Sequence, residues 1–419
     1  MSRYSQVERR IARWLDGAPR TKRVAKQWYS LFNYAVHREK GFQLTIDDDV
    51  YITELCSPLN AEVFFGYYDK SPWSPNMRSM VLHARGEDGR VRVVEWHEGA
   101  FRPLSATNVW NWQQGSMLNW LSDRSLIFND LYGGMLGARV YDKCSEDSSF
   151  IPWPVQSVNP DSNEYVSLNY VRLYQLRPEY GYDVRVENFS PSMSHSQDGI
   201  WRVNIDSESS DLIVSLSRLC AYEARFDFGQ AKHKINHVMY SPSGGRLVFM
   251  HRWVGVDGKL SRLYVCDNDG SNLRLLLDNR MVSHYCWRDE NHILVWGRTV
   301  EAGDRYYLIN VVYGTWQIIG EGRLDTLGDG HPSYSPDGRW IITDTYPDKA
   351  RQRHLLLYDT ISQNLVRIGR FFAPWKFDGP ERCDLHPRWS PDGTMISIDS
   401  AHEGVRKSYI LDISELVSQ

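Results

Sequence analysis

The chain has few cysteines, and they are scattered: Cys56, Cys144, Cys220, Cys266, Cys286 and Cys383 form no CxxC pair and no cysteine–histidine knuckle. That spacing excludes a zinc ribbon, and a chain this long does not call for a disulfide framework. No apolar run reaches the roughly 18 residues that a spanning helix needs, so no transmembrane segment is expected. The opening stretch, MSRYSQVERRIARWLDG, carries no apolar h-region, which makes the cytoplasm the expected compartment. Excess positive charge is also missing. The formal net charge is -4, so no global basic field recruits nucleic acid.

What the chain has in quantity is aromatic side chains: 16 Trp and 24 Tyr. Many short aromatic-rich strands suit sheets that pack face to face. Length alone would suggest two or three domains, but an internal repeat points to one continuous ring. Tyr240-Ser-Pro-Ser-Gly-Gly-Arg-Leu-Val-Phe249, Tyr334-Ser-Pro-Asp-Gly-Arg-Trp-Ile-Ile342 and Trp389-Ser-Pro-Asp-Gly-Thr-Met-Ile-Ser-Ile398 are copies of one turn-and-strand unit. Trp73-Ser-Pro-Asn76 is a fourth copy. Weaker copies begin at Trp287, Leu121 and Val158. Pro fixes φ and Gly accepts positive φ, so each Ser-Pro-Asp-Gly is a tight turn. Two further β-rich runs and an Asp/Asn/Gly turn complete each unit. Four strands at a period of roughly 40 to 50 residues make a propeller blade.

The expected fold is therefore an all-β, seven-bladed β-propeller over residues 46–419, with blades at 63–104, 108–153, 154–216, 235–277, 282–320, 330–371 and 384–417. Blade 7 has only three strands of its own. The run Val50–Cys56 can supply the fourth and close the ring, leaving no open edge. Residues 1–45 read as a helical extension. The longest insertion falls in blade 3, around Tyr174–Ile200.

Aligned on their turns, the blades carry a histidine register. Four residues before the turn serine, or its equivalent, stand His237, His284, His331 and His386. Blade 1 has Lys70 there. Equivalent starts of inner strands converge near the axis of a propeller, so these imidazoles are expected to share one funnel mouth. For any one of them alone, a structural hydrogen bond is the commoner role. The strand ends opening on the same face offer His251-Arg252-Trp253, Arg298, Asp344 and Asp399, and the loop into blade 7 adds Glu381, Arg382 and Asp384. Asp344 and Asp399 can equally be turn caps.

At these residues the sequence resembles the oligogalacturonate lyase family, seven-bladed propellers that cleave uronate oligosaccharides by β-elimination. The matching stretches are Asn236-His237 before a Ser-Pro turn, Ser283-His-Tyr-Cys-Trp287, Gly330–Gly338 running to Asp344-Thr-Tyr-Pro-Asp348, and His386–Gly393. They lie within residues 230–415. The stretch Phe65-Gly-Tyr-Tyr-Asp69 looks more like uncharacterised propellers of bacterial exopolysaccharide loci. Carried over, the resemblance makes His237 the catalytic base and His284 and His386 ligands of a divalent metal, Mn²⁺ in the family. The family's two other ligands, a Gln and a His, fall on Glu381 and Asp384, which are hard oxygen donors that also suit Mn²⁺. Its catalytic Arg has no direct counterpart; Arg218, Arg225 and Arg252 are candidates.

Three functions are compatible with these residues. In a lyase acting on an acidic oligosaccharide or polysaccharide, His237 removes the uronate C5 proton. A metal or Arg252 stabilises the charge that develops on the carboxylate. Tyr67, Tyr68 or Lys70 helps the C4 oxygen leave. Substrate contacts are expected from Tyr67, Asp69, Asn236, Trp253, Arg298, His331, Asp344 and Arg382. A hydrolase or glycosyl transferase would instead use a pair among Asp69, Glu381, Asp384 and Asp399. A non-catalytic propeller would hold a glycan or an assembly partner.

The N-terminal segment interleaves Arg3, Arg9, Arg10, Arg13, Arg20, Lys22, Arg23 and Lys26 with Val7, Ile11, Trp14, Leu15 and Trp28. At helical spacing, residues 1–30 could make peripheral contact with an anionic membrane. The preferred reading is a helix packed against the side or bottom of the ring with its charges solvated.

Overall fold

The computed structural model describes residues 19–55, 61–256 and 258–418. Seven antiparallel sheets form a propeller in the expected order. Their strands fall within 62–107, 119–151, 157–215, 232–277, 282–318, 333–372 and 388–412. Both faces of each sheet meet a neighbouring blade, so the middle strands are buried on both sides and carry apolar runs at their centres. Ile341 and Ile342 lie in one such strand, Leu355–Leu357 in the next. Apolar clusters cement successive blades. Leu294, Tyr306 and Tyr334 of blade 5 and the start of blade 6 pack with Ile341 and Leu356. Ile410 of blade 7 joins the Val63, Leu82 and Phe128 cluster of blades 1 and 2, which completes the circle.

Ring closure follows the sequence expectation. The strand Tyr51–Glu54 pairs with Lys407–Asp412, with Thr53 opposite Ile410, and supplies the outermost strand of blade 7. A second closure was not foreseen. Leu44–Ile46 pairs with Gly369–Phe371 and gives blade 6 a fifth strand. The boundary expected at residue 45/46 therefore cuts through a strand. Before it, Pro19–His37 is a helix, which Pro19 opens at the first position, where its missing N–H costs nothing. Residues 1–18 lie outside the described part. Tyr34 attaches the helix to blade 6, with its ring 6.1 Å from Phe372 and 5.7 Å from Trp375. The five described cysteines are unpaired. No helix among the described residues is long and apolar enough to cross a membrane.

One blade departs from regularity in a way that builds the site. The inner strand of blade 1 pairs at Glu62–Phe64 with His83–Arg85, and meets its neighbour again only at Trp73 opposite Met80. The residues between, Phe65 to Pro72, leave the sheet. Asp399 of blade 7 catches the start of the excursion, accepting from the amides of Phe65 at 3.0 Å and Gly66 at 3.2 Å. Gly66 is required there: its φ is +128°, and a Cβ would stand 2.8 Å from the carbonyl carbon of Gln114.

Candidate active site at the channel axis

The four register histidines do converge. The rings of His284 and His331 are 4.2 Å apart, and those of His331 and His386 4.3 Å. His237 completes the group through the two tyrosines of the blade 1 excursion. Tyr67 lies edge-on to His237 at 4.9 Å and to His386 at 5.2 Å. Tyr68 stands 5.5 Å from His237 and 5.3 Å from His331. The channel is thus filled by tyrosine, with the imidazoles around it.

Local backbone irregularity aims these rings. The ladder of Lys232–Tyr240 slips between Asn236 and Met239, and that of Val282–Asp289 slips between Val282 and Tyr285. His237 and His284 therefore occupy β-bulges at equivalent places in blades 4 and 5, where an extra residue turns a side chain out of the sheet. His237 and His386 have φ of +55° and +45°. Left-handed backbone at two non-glycine residues of one site costs energy that the surrounding fold must supply.

Hydrogen bonds then set the tautomers. His386 Nδ1 donates to the carbonyl of Gly66 at 2.7 Å, so its Nε2 carries the lone pair. His331 Nδ1 lies 2.7 Å from Asp344 Oδ1, and His284 Nδ1 lies 3.1 Å from Asp329 Oδ1. The Nε2 atoms of His331 and His386, and both ring nitrogens of His237, are buried without a hydrogen-bond partner. Burial pushes the pKa of His237 and His386 well below the usual imidazole range, and like charges add to it (His284 and Lys70 at His237, His331 at His386). Both are neutral at physiological pH.

Nitrogen and oxygen donors of His331, His386 and Asp384 all lie within 4.8 Å of one another. Two oriented imidazoles and an ionised carboxylate are a donor set that a divalent cation accepts. The Asp384 carboxylate is held far below its ordinary pKa by Arg382 and Arg353, which it meets at 2.6 Å on either oxygen. This set differs from the one the sequence suggested. His331, expected to touch substrate, joins the set, while His284 and Glu381, both expected as ligands, fall outside it. Glu381 is exposed on the turn Gly379–Glu381, where only its backbone is used, by Arg406. His284 adjoins the group through its ring contact with His331.

Several other expected contacts fall elsewhere. Asp344 is fully committed: it accepts from the amides of His331, Leu385 and His386 as well as the His331 ring, and so positions two imidazoles. Trp253 is buried in the flank of blade 4 against Phe228, with Nε1 donating to Asp227. Arg298 pairs with Asp304 across an exposed hairpin. Tyr68 is not free to act as an acid, because its hydroxyl is bonded to the backbone of Tyr285 on both sides. Lys70 pairs with Asp69 at 3.0 Å and, with Tyr68, Asp69, Pro242, Trp287 and Trp389, lines a cavity of about 310 Å³ toward the Ser-Pro turns. Asp69 also stands 3.7 Å from His237 Nε2, below the tyrosines. Asn236 is buried next to His237 with its Oδ1 unpartnered.

The carboxylates that hydrolysis would use are engaged: Asp69 is paired with Lys70, Asp384 with two arginines, and Asp399 with Arg388 and Ser408, while Glu381 is exposed.

Two cations that sequence reasoning missed, Lys234 and Arg177, join the expected Arg252 near the tyrosines. Lys234 is buried, and burial followed by Arg252 and Arg177 lowers its pKa to about 6. Arg252 has no carboxylate within 4.0 Å among the described residues, and its field reaches His237 and His284. The blade 3 insertion supplies Tyr180, which packs edge-on over Tyr67 at 5.8 Å and accepts a hydrogen bond from Arg382 at 3.1 Å. The insertion's length was the one signal that pointed there.

No family model matches the chain. Two solved oligogalacturonate lyases share its ring. One, from Vibrio parahaemolyticus, aligns with a TM-score of 0.61 at 14% identity, over 89% of this chain and 97% of that one. The other, in complex with manganese, gives 0.63 at 15% identity, over 91% and 100%. A prolyl endopeptidase reaches 0.51 at 12% identity, over 84% of this chain and 50% of its own. At such identities the likeness establishes the fold alone. A ring found in both lyases and a peptidase does not fix the chemistry, which must be argued from the site.

Proposed function

We propose that this propeller acts on uronate-containing glycans by β-elimination at the histidine ring. The observation that carries the reading is the pairing of an unpartnered, neutral His237 with protonated Tyr67 at 4.9 Å, in a buried site with Arg252 nearby. His237 takes the C5 proton. The electrons of that C–H bond form the C4–C5 double bond as the C4–O bond breaks. Tyr67, whose pKa burial raises well above the ordinary phenol range, holds its proton until the leaving oxygen needs it. Arg252 opposes the carboxylate charge that grows as the proton departs. Lys234 is available to join it, since an arriving carboxylate would restore its charge. His331, His386 and Asp384 would hold a divalent cation, Mn²⁺ by resemblance. When bound, it would supply Lewis-acid polarisation of the carboxylate.

A second reading, a non-catalytic propeller that binds an acidic glycan, is favoured by the burial of all four histidines. Incubation of the protein with oligouronides distinguishes the two. An unsaturated, ultraviolet-absorbing product supports elimination. A saturated product indicates hydrolysis, and binding without product indicates the second reading.

A further inference from the structure

The helix Pro19–His37 presents an apolar face that nothing in the described ring covers. Trp28 is 71% exposed, Phe32 69%, Val36 60% and Leu31 47%. These positions, with exposed Ala25 and Ala35, follow helical spacing and share one side of the helix. The other side makes the attachment: Asn33 is buried and Tyr34 meets Phe372 and Trp375. Had the helix been laid along the ring as a structural brace, the tryptophan and phenylalanine would be its buried face. They are instead turned away.

The charge of the helix is one-sided as well. Its sequence, PRTKRVAKQWYSLFNYAVH, contains Arg20, Lys22, Arg23 and Lys26 and no Asp or Glu. The residues before it add Arg3, Arg9, Arg10 and Arg13 against Glu8 and Asp16. This cationic segment belongs to a chain whose net charge is -4, so the positive charge is concentrated at one end. Apolar residues including Trp, on a helix bearing only cations, match the two components of an anionic bilayer surface: acyl chains at the headgroup boundary, and phosphate charge above them.

We infer that the Pro19–His37 helix docks the propeller on anionic lipid membranes, with Trp28, Leu31, Phe32 and Val36 entering the interface. The strand Leu44–Ile46, fixed to blade 6, then holds the ring close to that surface. The protein would meet its glycan at the membrane face.

The test is co-sedimentation of the full chain with vesicles of phosphatidylglycerol and phosphatidylcholine in equal parts, and with phosphatidylcholine alone. The expected result is partition onto the anionic vesicles, weakened by salt, and reduced about tenfold or more in a Trp28→Ser/Phe32→Ser variant. Both side chains are exposed, and an unchanged unfolding midpoint confirms that the ring is intact. Absence of partition onto anionic vesicles overturns the inference, as does equal partition onto phosphatidylcholine alone. If light scattering shows a dimer that the double variant converts to monomer, with no vesicle binding by either, the face is an interface between copies and the inference is again overturned.

Discussion

Tyr68 leaves blade 1, crosses the channel, and closes its hydroxyl on blade 5, donating to the Tyr285 carbonyl at 2.8 Å and accepting from the Tyr285 amide at 2.9 Å. Tyr285 in turn stacks on His237 at 4.4 Å and donates its own hydroxyl to the His237 carbonyl. One tyrosine thus ties the plug to the strand that carries His284 and supports His237. Its removal should be felt as stability. Tyr68→Phe keeps the ring contacts but strands a buried N–H and a buried C=O, and should cost about 2–3 kcal/mol. Urea denaturation measures it, and an unchanged midpoint would mean that the plug is not held this way.

Gly66 should tolerate no side chain. Ala there needs φ near +128° and drives its Cβ into the Gln114 carbonyl. The carbonyl of Gly66 also fixes the His386 tautomer. Gly66→Ala is expected to lose about 3 kcal/mol or more, read as a lowered unfolding midpoint. Gly303→Ala is the control. It also has positive φ, but nothing lies within 4 Å of its Cβ, so its loss should be smaller.

The plug also carries an acid sensitivity. His83 donates from Nδ1 to the Phe65 carbonyl at 2.8 Å and accepts at Nε2 from the Ser116 amide at 3.1 Å. Burial lowers its pKa from 6.5 to about 4. The unfolded chain therefore takes up this proton first as pH falls. Stability contributed by neutral His83 is fully present above pH 6.5 and is lost as pH drops toward 4, by about 3 kcal/mol in total. Denaturation midpoints across that window should fall with pH in the wild type and fall less in His83→Gln.

Metal content separates the ligand set read here from the one the family resemblance implied. After addition of Mn²⁺, elemental mass spectrometry should find near-stoichiometric metal in the wild type and in Glu381→Ala. His331→Ala and His386→Ala should lose it. Loss in Glu381→Ala with retention in His331→Ala would reverse the assignment.

Much of this was legible in the sequence because it repeats. Ser-Pro-Asp-Gly turns located the blades, Val50–Cys56 supplied the closing strand, and counting back from the turn found His237, His284, His331 and His386. Repetition fails where blades stop being alike. Tyr180, Arg177 and Lys234 come from an insertion and from an adjoining blade, so no register aligns them with the histidines. Trp253 lies within the strand Arg246–Gly255 and packs against Phe228, and Arg298 lies within His292–Thr299 and pairs with Asp304, so the partners that hold them are local to their own blades. Asp344 read equally as a substrate contact or a turn cap, because sequence cannot tell a carboxylate facing solvent from one that three backbone amides already occupy.

The most direct test of the central claim is the rate at which His237→Ala releases unsaturated product from an oligouronide that the wild type cleaves. With the fold intact, the account predicts a loss of about 10²–10⁴-fold, as expected when a positioned base is removed. A variant as fast as the wild type would contradict the assignment of the base and, with it, the elimination proposed for this site.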